Sequence, residues 1–317
     1  MLEVNHVSKV FENHRGVQDI DFTMDRGEII GFLGPNGAGK TTTMRLITGY
    51  LLPTSGTIRF DGLSMAEHTH RVRSKIGYLP ETPPLYPDMS VQAYLRFVAD
   101  LRDVPAREQK RRTEEMIDKL GLQGRERQLI RSLSKGYKQR LGLAQAIIHQ
   151  PELLILDEPT SGLDPNQISE IRNLIRELGE QHTVLLSTHI LPEVHSLCNR
   201  VLIIHQGKIV LDEKPDQLGA AMGQRASLQL EVKGPSEDVF RLIGSIAEVD
   251  EMTQLSVTEQ SVQLHVHVMQ QHDIRETVFH MMAEAGYPIL EMKTEKTSLE
   301  EVFQRLTTEE VETNEAI

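Results

Sequence analysis

A single cysteine, Cys198, occurs in 317 residues, so no disulfide can close within the chain and no cysteine-based zinc site can assemble in it. A reducing compartment is the matching expectation. Long apolar runs are missing too: no uncharged stretch reaches the roughly eighteen residues that a membrane-crossing helix needs. The opening Met1-Leu-Glu-Val-Asn-His has no basic segment leading into an apolar one, and the expectation is a chain neither exported nor membrane-spanning. Nor is there an excess of positive charge. The net charge of -12 argues against a general nucleic-acid binder, because the phosphate backbone rewards basic surfaces. That acidity is confined to one end. Residues 226–317 carry 6 Lys/Arg and 18 Asp/Glu, which leaves 28 of each, from totals of 34 and 46, for residues 1–225.

What is present is a globular composition, 39% apolar and 25% charged, in a length that favours a large domain with a smaller one. Over the first two thirds, short apolar runs alternate with amphipathic stretches, the pattern of an α/β layered domain. Ile29–Leu33, Leu153–Leu156, Thr183–Ser187 and Val201–Ile204 are continuous enough for a sheet buried on both faces. Between about 88 and 150 helical periodicity replaces the strand signal, as in Val91, Tyr94, Leu95, Val98, Leu101 and again Met116, Ile117, Leu120. We therefore expect a first domain over 1–222 with a helical insertion at 88–150. After Gly219 and Gly223 the order becomes strand, helix, two strands, helix, strand, which predicts a small α+β, ferredoxin-like unit over 223–308. A capped helix over Ser298–Leu306 and an acidic tail over 309–317 complete the reading.

Gly34-Pro35-Asn36-Gly37-Ala38-Gly39-Lys40-Thr41 fits G-x-x-x-x-G-K-[ST], between an apolar strand and a helix that includes Thr42. Its glycines let the backbone curl so that successive N–H groups converge where a helix N-terminus adds positive potential. A polyphosphate fits such a nest; the alternative is a glycine-rich turn with no ligand. Lys40 would face the β- and γ-phosphates, and the Thr41 hydroxyl would bind Mg²⁺. Downstream, Leu153–Leu156 runs into Asp157-Glu158, two carboxylates at the end of an apolar strand, where ligands of open α/β sheets bind. Asp157 suits the metal and Glu158 the attacking water. Alone, such a run is a strand meeting solvent; the upstream loop makes it a site.

Three further segments make the pattern specific. Leu133-Ser134-Lys135-Gly136-Tyr137 resembles the ABC signature, Ser161-Gly-Leu-Asp164-Pro the D-loop, and Leu186-Ser-Thr-His189 the switch histidine. In order and spacing, residues 1–220 resemble the ABC ATPases: a P-loop α/β fold that binds ATP and Mg²⁺ and hydrolyses ATP. The resemblance implies catalytic roles for Glu158, His189 and Lys40, and adenine stacking on Phe11. It also implies a head-to-tail pair with a second copy, in which Ser134 and Gly136 serve the partner's ATP and Asp164 couples the two sites. An integral membrane permease on a separate chain would then be the load, with this chain peripheral on the cytoplasmic face.

Two departures qualify it. Lys135 and Tyr137 replace the usual glycine and glutamine, and Glu81 takes the Q-loop position in Gly77-Tyr-Leu-Pro-Glu81, where it can approach Mg²⁺ but donates no hydrogen bond. Leu79–Tyr86, Ser134–Tyr137 and Leu163–Gln167 are similar to the gliding-motility-associated and multidrug-type exporter ATPases. The segment from Glu81 to Tyr94 is expected to touch the permease. His265, His267, His272 and His280 lack supporting carboxylates for a metal site, so a regulatory or dimer-supporting role is expected of the small domain. The rivals are a mechanoprotein acting on DNA or ribosomes, which typically has two ATPase halves or a long coiled coil, and a non-hydrolysing subunit, against which stand Glu158 and His189.

Overall fold

The computed structural model describes residues 1–12, 16–217, 226–258, 261–268 and 273–295. The chain divides into two compact units, Met1–Pro215 and Asp216–Ile317. The first ends short of the expected boundary at 222. The helix expected at Ser298–Leu306 and the acidic tail lie outside the described residues.

Two sheets build the first unit. Strands β1 (Leu2–Val10), β2 (Gly16–Met24), β4 (Ser55–Phe60) and β5 (Leu63–Ser64) form an antiparallel sheet in the order β2-β1-β4-β5. A six-stranded sheet contains β3 (Ile29–Leu33), β6 (Ile76–Leu79), β7 (Leu153–Asp157), β8 (Thr183–Thr188), β9 (Arg200–His205) and β10 (Lys208–Glu213), in the order β10-β9-β3-β8-β7-β6. All neighbours there are parallel except β10 and β9. The apolar runs read from the sequence are its central strands, with Leu153–Leu156, Val184–Leu186 and Val201–Ile204 wholly buried. One apolar cluster, including Val4, Phe22, Phe32, Ile58, Ile155 and Leu202, joins the two sheets.

Helix α1 (Lys40–Ile47) follows β3, and α2 (Thr69–Arg73) precedes β6. The insertion is helical, with α3 (Val91–Leu101), α4 (Ala106–Lys119) and α5 (Lys135–Ile147). The Ser90 hydroxyl caps α3 by accepting from the Ala93 N–H at 3.3 Å. Val91, Tyr94, Leu95 and Val98 are buried as the periodicity requires, but Leu101 is 68% exposed. It is the last residue of α3, following the buried Val98 and Ala99. Helices α6 (Pro165–Gly179) and α7 (Leu191–Leu197) flank β8 in sequence.

The second unit contains β11 (Ala226–Val232), α8 (Ser236–Gly244), β12 (Val249–Val257), β13 (Val262–Val268), α9 (Arg275–Glu284) and β14 (Ile289–Glu295). Its strands lie in the order β12-β13-β11-β14, every neighbouring pair antiparallel. Alternate residues of β11 and β13, Leu228, Leu230, Val232, Val262, Leu264, Val266 and Val268, turn inward onto Val239, Ile243, Val278 and Met282 of the helices.

Candidate functional site

Strands β3, β8 and β7 are adjacent and parallel, so their C-terminal ends open at one edge of the sheet. Leu33 pairs with Thr188, and Asp157 with Ser187. The residues that follow are the phosphate loop, His189 and Glu158. The loop must pass close to its neighbours: a Cβ on Gly34 would come within 2.5 Å of the Ile204 carbonyl oxygen. One on Gly39, at φ +113°, would fall 2.6 Å from Val17 Cγ1. Only glycine serves at Gly39 without strain.

Lys40 opens α1 with its ammonium buried, 2.7 Å from the Gly34 carbonyl oxygen and 3.2 Å from that of Pro35. Glu158 Oε1 lies 3.2 Å from the same nitrogen. The other carboxylate oxygen, Oε2, is 2.7 Å from His189 Nδ1, linking two residues 31 apart in sequence. Glu158 is buried and sits at φ +50°, a conformation costing a non-glycine residue about 1–3 kcal/mol. Its N–H donates to the Ser187 carbonyl at 3.0 Å and contacts Ser187 Oγ at 3.2 Å. The Ser187 hydroxyl in turn donates to Asp157 Oδ1 at 2.5 Å. Ser187 thus holds the Asp157 carboxylate and the Glu158 backbone, a role absent from the sequence reading although Ser187 opens the Ser-Thr-His run.

A cavity of about 380 Å³ collects these groups. Its walls include Phe11, Asn36, Gly37, Gly39, Lys40, Thr41, Thr42, Glu81, Glu158 and His189, with Gly16 and Ser161 added to the expected set. Phe11 is 40% exposed, with the Lys9 ammonium 5.8 Å from its ring centroid, so it serves no core. Gly34, Pro35 and Ala38 are not among the cavity's lining residues. Asp157 is fully buried, and its Oδ2 has no hydrogen-bond partner. An orphaned carboxylate oxygen in that position fits a cation or its water shell. No group of three or more His, Cys, Asp or Glu among the described residues could hold a metal alone. That suits Mg²⁺, which uses one or two carboxylates beside phosphate oxygens and water.

The comparisons with known proteins follow the same outline. A family model described as "ABC transporter" matches residues 17–161. The linearmycin resistance ATP-binding protein LnrL of Bacillus subtilis (strain 168) is 32% identical over 311 residues, 97% of this chain and 98% of that one. The chain belongs to the ABC transporter ATP-binding family. The bacitracin transport ATP-binding protein BcrA of Bacillus licheniformis is 31% identical over 309 residues, 96% of this chain and 97% of its own. A solved structure of an ATP-binding subunit of an ABC transporter superposes with a TM-score of 0.65 at 32% identity, covering 70% of this chain and 93% of that one. Its membership makes this chain an ATP-binding, ATP-hydrolysing subunit of an ABC transporter. No helix among the described residues is long and apolar enough to cross a membrane.

The signature of this ABC ATPase stands outside the cavity. Ser134 caps α5, accepting from the Tyr137 N–H at 3.4 Å, and remains exposed. Gly136 is buried against Gln167, 2.9 Å from where a Cβ would be. Asp164 caps α6, accepting from the Gln167 N–H at 2.9 Å. Tyr137, one of the departures, lies under the Arg125 guanidinium at 3.8 Å. In the second unit the His265 and His267 rings meet edge-on at 4.6 Å, and His280 Nε2 is 3.9 Å from Glu276. His272 lies outside the described residues.

Proposed function

We propose that two copies pair head to tail and bind two ATP molecules between them. In each site Lys40 and the loop amides of one copy face the exposed Ser134 of the other, with Gly136 following it at the start of α5. The carrying observation is the cavity itself. It holds the phosphate loop, Glu158 and His189 on one side, while Ser134, capping α5 and exposed, lies outside it on the same chain. Phe11 offers an exposed face to the adenine. Mg²⁺ would be held by Thr41, Asp157 and Glu81, and would supply charge neutralisation at the β- and γ-phosphates. The Lys40 ammonium, now on two carbonyls and Glu158, exchanges those oxygens for phosphate oxygens. Glu158 then accepts a hydrogen bond from the attacking water, oriented by the Ser187 contact to its backbone. His189 Nδ1 holds Glu158 while its far ring nitrogen reaches toward the γ-phosphate. Water attacks the γ-phosphorus, the bond to the bridging oxygen breaks, and ADP and phosphate leave. Closure on ATP and opening after hydrolysis follow from losing the γ-phosphate contacts.

The load is a separate integral membrane permease, with this chain peripheral on its cytoplasmic face, and the names of the full-length relatives, bacitracin transport and linearmycin resistance, favour export. Likeness to the gliding-motility branch rests on the motifs alone. The permease contact is carried by the segment from Glu81 to Tyr94, whose Pro84, Tyr86 and Tyr94 wall a second cavity of about 370 Å³ together with Phe97 and Leu101. The β12-β13-β11-β14 order supports reading the second unit as a split βαβ fold that holds the dimer together. The test is ATPase rate per chain against chain concentration, with and without Mg²⁺. A rate per chain that rises with concentration and vanishes on chelation supports the reading. A concentration-independent rate defeats the paired site.

A further inference from the structure

Glu193 is a fully buried carboxylate that the chemistry above does not use. It lies in the first turn of α7, four residues after the switch histidine. Its Oε2 accepts from the Thr188 hydroxyl at 2.9 Å. The Thr188 oxygen in turn accepts from the Ile190 N–H at 3.0 Å. The backbone is therefore clamped on both sides of His189, and Glu193 N–H closes the loop onto the Ile190 carbonyl at 3.1 Å. A carboxylate can only accept, so Thr188 must donate to it and keeps its lone pairs for Ile190. Glutamine could donate as well and would leave that orientation open. The remaining carboxylate oxygen, Oε1, has no hydrogen-bond partner, and neither has Arg172 Nε on α6, 4.0 Å away. Arg172 compensates the buried charge from the helix that Asp164 caps.

We infer that Glu193 is a positioning residue for His189, acting through the Thr188 hydroxyl and anchored by Arg172. The inference rests on His189 acting at the nucleotide, as proposed above. Burying an ionised carboxylate is costly, and what this one holds in place is the turn that carries His189 to Glu158. Loosening that turn displaces the imidazole without removing any group that contacts ATP.

The test uses the full chain with Thr188→Val, Thr188→Ser, Glu193→Gln and His189→Ala. Two readouts are taken: imidazole nitrogen shifts of His189 by NMR without nucleotide, assigned by their loss in His189→Ala, and steady-state ATPase. Thr188→Val and Glu193→Gln are expected to shift the His189 ring signals and lower kcat about tenfold to a hundredfold, with KM for ATP unchanged. Thr188→Ser, which keeps the hydroxyl, restores both. Unshifted His189 signals in Thr188→Val and Glu193→Gln overturn the inference, as does Thr188→Ser behaving like Thr188→Val. Full activity in His189→Ala, with the ring shifts as expected, would instead overturn the catalytic reading of His189 and leave the positioning intact.

Discussion

Glu158→Gln separates the two duties of the carboxylate between Lys40 and His189. Glutamine keeps the shape and the positive-φ backbone but removes the charge. At 3.2 Å and an effective dielectric of about 20, the Lys40–Glu158 attraction is about 5 kcal/mol before desolvation. Removing one partner of a buried pair costs about 3–5 kcal/mol. Lys40 keeps the Gly34 and Pro35 carbonyls, and the glutamine amide oxygen can replace one acceptor, so the low end, about 3 kcal/mol, applies. For a unit of this size that lowers the melting temperature by about 6–12 °C without nucleotide. Bound ATP returns negative charge to Lys40, and the deficit narrows. Hydrolysis falls about 10²- to 10⁴-fold, the range for losing a group that orients and deprotonates water. Calorimetry with and without nucleotide, beside phosphate release, reads all three. Turnover within a few-fold of the parent, or a melting deficit that ATP leaves untouched, would refute this reasoning.

Gly34→Ala drives a methyl into the Ile204 carbonyl and displaces the loop; we expect a loss of about 1–3 kcal/mol in stability and weakened ATP binding by fluorescence titration. Burial pushes the His149 imidazole down to about 4 from 6.5. Between those values the unfolded chain takes up a proton that the folded one refuses, so stability falls as pH drops through the window, by up to about 3 kcal/mol. His149→Phe should flatten that part of a pH series of denaturant melts. Tyr86, half exposed and packed against Tyr94 and Phe97, should on conversion to Ala lower permease-coupled transport while ATP binding holds. Undiminished transport in the reconstituted complex would contradict the placement of the permease contact.

The legible part of this fold is the part with uniform surroundings. β3, β7, β8 and β9 are buried on both faces, so their sequences run apolar without interruption, and the motifs at their ends announce the site. The antiparallel sheet of β1, β2 and β4 left no such trace. Its strands mix exposed and buried positions, and register shifts between Val4 and Val7 and between Asn5 and Ser8 break the alternation that period two would show. The phosphate loop was readable because spacing alone defines it. The Glu158–His189 contact was not, since it depends on the Asp157↔Ser187 register between β7 and β8. Thr188, Glu193 and Arg172 escaped for a related reason: their roles come from burial and from partners on other elements. Leu101 obeyed the helical period yet faces solvent, because it is the last residue of α3, after the buried Val98 and Ala99.

The composite site can be tested most directly by complementation. Lys40→Ala removes the phosphate-loop cation but leaves a sound signature; Ser134→Arg blocks the signature but leaves a sound loop. Each chain alone should be inactive. Mixed in equal amounts, about half of the pairs are heterodimers, each with one intact site built from the loop of one chain and Ser134 and Gly136 of the other. Hydrolysis by the mixture well above the sum of the two separate chains is the predicted result. A mixture no more active than that sum would contradict a site shared between two copies.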